Sequence, residues 1–151
     1  LALVFGGVAF EFRFKAPSHK RIWNVSFAGG SALATFCQGI VLGAFIQGVA
    51  IEDRGYAGGW FDWLTPFSIF TGAALMAGYA LLGATWLVMK TEGELQDRIY
   101  PFVMPLTVIV LAAIAIVSLW TPLIHEMIAE RWFSWPNLLY LSPVPLLITL
   151  A

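Results

Sequence analysis

Few side chains in this sequence are equipped for chemistry, and most of them lie within or beside long apolar runs. Glu11 sits in Phe10-Glu11-Phe12-Arg13-Phe14-Lys15, an alternation of acid, aromatic and base. Two readings fit it. Arg13 and Lys15 could snorkel to phosphate while Glu11 stays wet. Alternatively Glu11 turns inward, pairs with a base and carries protons, as ionisable groups inside membranes often do. His19 and His125 are the only imidazoles, and both fall in loop-like stretches. A haem iron needs His, Met, Cys or Tyr at bundle depth facing a cavity, so both read as surface histidines. Met76, Met89 and Met104 read as packing filler. A single cysteine, Cys37, excludes an internal disulfide and a cysteine-based cluster. No HxxEH, CxxCH, P-loop or GxGxxG string occurs. The expectation is a chain that binds no metal by itself.

The polar residues at depth are uncharged. Ser31, Thr35, Gly39, Gly43 and Gln47 recur every four residues and share one slowly rotating helix face. Gly39 and Gly43 form a GxxxG, which lets a neighbouring backbone approach closely. Ala74 and Gly78 form a second small-xxx-small pair, with Gly72 and Gly83 nearby. Gln38 and Gln47 carry amides that lipid cannot satisfy, so they must face protein, water or a bound headgroup. Helix packing with cross-helix hydrogen bonds is one reading of this face; a quinone- or water-lined surface is the other.

These residues need long apolar helices to hold them, and the composition supplies little else. Apolar residues make up 60% of the chain and charged ones 11%, against about 45–50% and 25% in soluble domains. No soluble fold of 151 residues could hide that much apolar surface. The chain reads as all-α, a polytopic transmembrane bundle of about four to five helices. Their expected bounds are about 1–10, 25–51, 60–89, 100–120 and 135–151. Pro66 suits the first turn of a helix, so the third should become regular at Thr65-Pro66, with Gly58–Trp63 as an interfacial lead-in and Asp62 as a solvated or capping acid. Pro136, Pro143 and Pro145 make the last element kinked or interfacial. The first residue is Leu, not Met, and the last run is apolar to its end, which predicts a fragment truncated at both ends. The whole reads as one transmembrane domain, without repeats or linkers.

Charge orients the bundle. Arg13, Lys15, Lys20, Arg21, Lys90 and Arg98 fall in one alternate set of loops; Arg54 and Arg131 fall in the other. The richer side should be cytoplasmic. All seven Trp lie at or near the proposed boundaries, where an indole keeps its ring in acyl chains and its N–H wet. A net charge of −1 leaves no basic field for nucleic acid.

Four strings in register carry a family likeness. Gly7-Val8-Ala9-Phe10-Glu11-Phe12-Arg13-Phe14-Lys15; Phe36-Cys37-Gln38-Gly39 with Gly43 and Gln47-Gly48; Trp63-Leu64-Thr65-Pro66-Phe67; and Gly78-Tyr79-Ala80-Leu81-Leu82-Gly83-Ala84-Thr85-Trp86-Leu87 followed by Lys90-Thr91-Glu92-Gly93-Glu94-Leu95-Gln96 resemble blocks of cytochrome bd-type quinol oxidase subunit II. The likeness runs through the chain in order and weakens after Ile99. It implies one subunit of a two-subunit enzyme in a prokaryotic cytoplasmic membrane. That enzyme oxidises quinol and reduces dioxygen to water, with protons taken from the cytoplasm. The resemblance places haem b and haem d in the partner, subunit I, and leaves this subunit to support assembly and proton- or quinone-accessible surfaces. The family pattern has Arg just before the first string, where this chain has Gly6, so a pair between that Arg and Glu11 is absent here. The alternative class is a secondary transporter, which also uses Gly-interrupted helices; the inverted repeat that would favour it is not visible.

Overall fold

The computed structural model describes residues 2–15, 20–48, 51–52, 55–56, 58–135, 137–141 and 143. It is an all-α membrane bundle. The helices are α1 (Ala2–Lys15), α2 (Lys20–Gln47), α3 (Pro66–Lys90), α4 (Glu94–Ile124), α5 (Glu126–Phe133) and α6 (Asn137–Leu141). Between α2 and α3 two short strands, β1 (Ile51–Glu52) and β2 (Gly55–Tyr56), pair antiparallel, with Ile51 opposite Tyr56. Helices α2, α3 and α4 have 28, 25 and 31 residues and are long and apolar enough to cross a membrane, for which about 20 residues suffice.

Several boundaries differ from those expected of the sequence. α1 continues past Phe10 to Lys15, and α2 begins at Lys20 and stops at Gln47 rather than near Ile51. α4 starts at Glu94 and ends at Ile124, so most of the charged stretch expected as a loop is helical. The stretch after Thr121, also expected as a loop, holds the end of α4 and all of α5. Hydropathy marks the part of a helix that lipid surrounds; a helix can continue beyond it into water when its termini are satisfied. Glu94 and Asp97 occupy the first turn of α4, where carboxylates suit the helix dipole. Pro101, Pro105 and Pro122 lie inside α4, as membrane helices tolerate. Of the last expected element, α6 and Pro143 lie among the described residues; the remainder falls outside them.

The structure comprises two compact units. The first holds Leu1–Ala44 and Ala50–Tyr79. Its core is small: Ile40 and Ala44 on α2 with Phe67 on α3, and the fully buried Ser68 beside them. α3 begins at Pro66 as expected, after a turn in which Asp62 accepts the Gly59 N–H at 2.5 Å and the Trp63 indole donates to the Trp60 carbonyl at 2.8 Å. Asp62 is thus a capping acid. The second unit holds Phe45–Val49 and Ala80–Ala151. Gly48, at φ +81, closes α2 in the left-handed conformation that glycine adopts without strain. In both units large apolar side chains lie mainly outside, Val41, Leu82, Leu119 and Leu123 among them, which suits a chain whose solvent is hydrocarbon.

Candidate functional site

The most tightly built region of the first unit is the seam where α2 meets α3. A Cβ placed on Gly39 would lie 2.6 Å from the Gly72 Cα and 2.9 Å from the Thr71 carbonyl oxygen. One placed on Gly43 would run into the Thr71 hydroxyl and lie 2.6 Å from the Ser68 Cα. From the other side, a Cβ on Gly72 would meet the Phe36 ring at 2.8 Å and its carbonyl at 3.0 Å. Three glycines therefore bring two backbones into contact, which no residue with a side chain would permit.

The polar groups of the seam are spent within it. Thr65 and Ser68 form a reciprocal cap at the start of α3: the Thr65 N–H donates to the Ser68 hydroxyl at 2.9 Å, and the Ser68 N–H donates to the Thr65 hydroxyl at 3.0 Å. This is the capping-box geometry with serine in the usual Glu or Gln position. The Ser68 hydroxyl proton is shared between the carbonyls of Trp63 and Thr65, at 2.8 and 2.9 Å. The Thr71 hydroxyl donates back to the Ser68 and Phe67 carbonyls at 2.8 and 3.1 Å. The Ser68 and Thr71 side chains are buried yet satisfied, so the seam is adhesive rather than reactive.

The other candidates named from the sequence spread around this seam, and the four-residue stripe on α2 divides along its length. Gly39 and Gly43 are buried at the seam, whereas Ser31 is exposed and Thr35 half-buried. Gln38 is exposed and Gln47 half-buried in the last turn of α2. Ala74 and Gly78 are not at the seam: a Cβ on Gly78 would meet nothing within 4 Å, and Gly72 is the small residue that α2 meets. Glu11 lies on α1 with its side chain exposed. His19 lies outside the described residues.

His125 is the residue that sequence reasoning missed. It stands between α4 and α5, half-buried rather than on the surface, and its Nε2 lies 2.8 Å from the Ile46 carbonyl. A carbonyl only accepts, so the ring must carry its proton on Nε2. The contact ties off a carbonyl at the end of α2, where the helix has no partner of its own for it. Seventy-nine positions separate the two residues, and no spacing rule connects them. Met89 and Met104 are 71% and 73% exposed, and among the described residues no three His, Cys, Asp or Glu gather as a metal site.

The connection from α3 to α4 is built with equal care. The Thr91 hydroxyl and N–H both donate to the Leu87 carbonyl, at 2.7 and 2.9 Å. Gln96 reaches back eight residues to the Val88 carbonyl at 2.8 Å. Gly93 turns the chain at φ +74. Arg98 pairs with Glu94 at 2.6 Å, and the Lys90 ammonium lies 5.4 Å from the Trp86 ring centroid. The string Lys90-Thr91-Glu92-Gly93-Glu94-Leu95-Gln96 is thus a capping device that closes one helix and opens the next.

Comparison with known proteins points to a single family. The family model for cytochrome bd terminal oxidase subunit II matches residues 1–151. A probable cytochrome oxidase subunit 2 of Haemophilus influenzae is 27% identical over 126 residues, 79% of this chain and 33% of its own length. Cytochrome bd-I ubiquinol oxidase subunit 2 of Escherichia coli (strain K12) has the same identity and coverage. Cytochrome bd ubiquinol oxidase subunit 2 of Bacillus subtilis is 30% identical over 101 residues, 65% of this chain and 30% of its own length. The chain therefore spans about a third of the relatives it matches. With the family model covering every residue, the chain belongs to the cytochrome bd terminal oxidase subunit II family.

Proposed function

We propose that the protein serves as subunit II of a cytochrome bd-type oxidase in a prokaryotic cytoplasmic membrane, and that it supports quinol oxidation coupled to reduction of dioxygen to water. Family membership over the whole chain carries this reading. The same reading puts subunit I beside it as the bearer of haem b and haem d, and has protons enter from the cytoplasm. Two observations support a subunit that holds no haem itself. His125 is committed to a backbone carbonyl, and the Met89 and Met104 side chains are largely exposed. The seam of Gly39, Gly43 and Gly72 would then keep α2 and α3 rigid against each other, and Gln38 and Gln47 would serve as polar contacts at membrane depth. Glu11 is the acid proposed for a proton path. The transporter alternative has no observation in its favour.

The decisive test is the absorbance spectrum of the tagged full-length protein, purified in mild detergent with whatever accompanies it and reduced with dithionite. Haem bands that vanish when the partner subunit is stripped away are the expected result. Haem bands retained by the isolated subunit would overturn the assignment of haem to the partner. A colourless preparation from cells that make the partner would overturn the oxidase reading itself.

A further inference from the structure

α2 carries a second face, and its chemistry is out of place in lipid. Asn24, Ser31, Thr35 and Gln38 fall at offsets of 7, 11 and 14 residues from the first, within a sector of about 60° at 100° per residue. They extend about 21 Å along the helix at 1.5 Å per residue. Asn24, Ser31 and Gln38 are exposed and Thr35 is half-buried. None of the four side chains makes a hydrogen bond to a described residue. The other threonines of the spanning helices behave differently. Thr71, Thr85, Thr107 and Thr121 each donate to a carbonyl of their own helix, at 2.8, 2.9, 2.8 and 2.7 Å. Thr35 does not, so its hydroxyl is held for something else. Beyond Gln38 the same face turns apolar, with Leu42 and Phe45 exposed. This sector is turned roughly 90° from the glycine seam at 100° per residue, so α3 leaves it open.

Hydrocarbon cannot pair with an amide or a hydroxyl, and leaving four such groups against lipid is costly. We propose that this face is the docking surface for a further membrane helix of the same full-length polypeptide. The half of that helix packed nearest Lys20 would carry hydroxyl or amide side chains at helical spacing, and its other half would be apolar. Chain length favours the same polypeptide as the source: the matched segment is only 33% of the length of the Haemophilus influenzae and Escherichia coli relatives, and helices of one polypeptide with short connections pack as neighbours. The inference rests on α2 spanning the membrane and not on the oxidase assignment.

The test places a photo-crosslinking amino acid at Gln38, and separately at Thr35, in the full-length protein within its native membrane. Peptide mass mapping then identifies the partner. The expected product is an internal crosslink from either position to a peptide outside the present 151 residues, with no second polypeptide added. The same probe at Leu33, exposed on the opposite side of α2, should capture lipid. Capture of lipid, of another polypeptide, or of a segment within these residues by both probes on the polar face would overturn the proposal. The readout is mass, so it stands apart from any loss of oxidase activity.

Discussion

At the scale of single residues, Gly39 and Gly43 give the clearest consequences. A methyl at Gly39 would sit 2.6 Å from backbone, not from a side chain that could swing aside. Gly39→Ala should therefore cost about 1–3 kcal/mol, as overpacking does, and Gly39→Leu or Gly43→Leu should prevent assembly of the two-subunit complex. Gly78→Ala is the control, because nothing lies within 4 Å of the added methyl and alanine favours the helix by up to about 1 kcal/mol. Thermal melting and complex yield in detergent check all of these. A normal yield of Gly43→Leu complex would refute the backbone-contact account. Glu11 calls for a different measurement. If it carries protons, Glu11→Gln slows quinol-driven oxygen consumption while haem content stays the same. Unchanged turnover across pH would leave it a snorkelling partner at the interface.

At the scale of elements, the α3–α4 connection shows what separates a cap from an ornament. Gln96 and Thr91 satisfy carbonyls at the end of α3, whereas the Arg98–Glu94 pair lies on an exposed surface, at 74% and 81% exposure of the two side chains. Gln96→Ala should thus destabilise by about 0.5–1.5 kcal/mol, the net worth of a hydrogen bond. Arg98→Ala should fall at the low end of the ~0–1 kcal/mol range for surface pairs. Equal losses in thermal melting would show that the reach of Gln96 carries no special weight. Sequence reasoning anticipates the GxxxG, the start of α3 at Pro66 and the role of Asp62, because each depends on local stereochemistry. It places Ala74 and Gly78 at a packing face when Gly72 meets α2, because small residues are plentiful and only the crossing point decides among them. It stops α4 short at both ends, because charge there reads as loop when it is capping. His125 is out of its reach, since the carbonyl it holds lies 79 positions away.

At the scale of the whole molecule, consecutive spanning helices must cross the membrane in alternate directions, so the orientation of one fixes the others. The basic residues are divided six against two between alternate connections, and that bias argues for a cytoplasmic turn between α3 and α4. The turn from Gly58 to Leu64 would then face outward, where Trp60, 92% exposed, and Phe61 suit the membrane–water boundary. Single cysteines test this directly. With Cys37 replaced by serine, cysteine is introduced at Glu92, exposed in the α3–α4 turn, or at Phe61. A membrane-impermeant maleimide should label Phe61→Cys in intact spheroplasts and Glu92→Cys only in inverted vesicles. The reverse pattern would overturn the orientation, and with it the proposal that Glu11, on the same basic side of the sequence as Lys15 and Lys20, meets protons from the cytoplasm. Labelling of both positions from one side would break the alternation itself and remove α3 from the set of spanning helices.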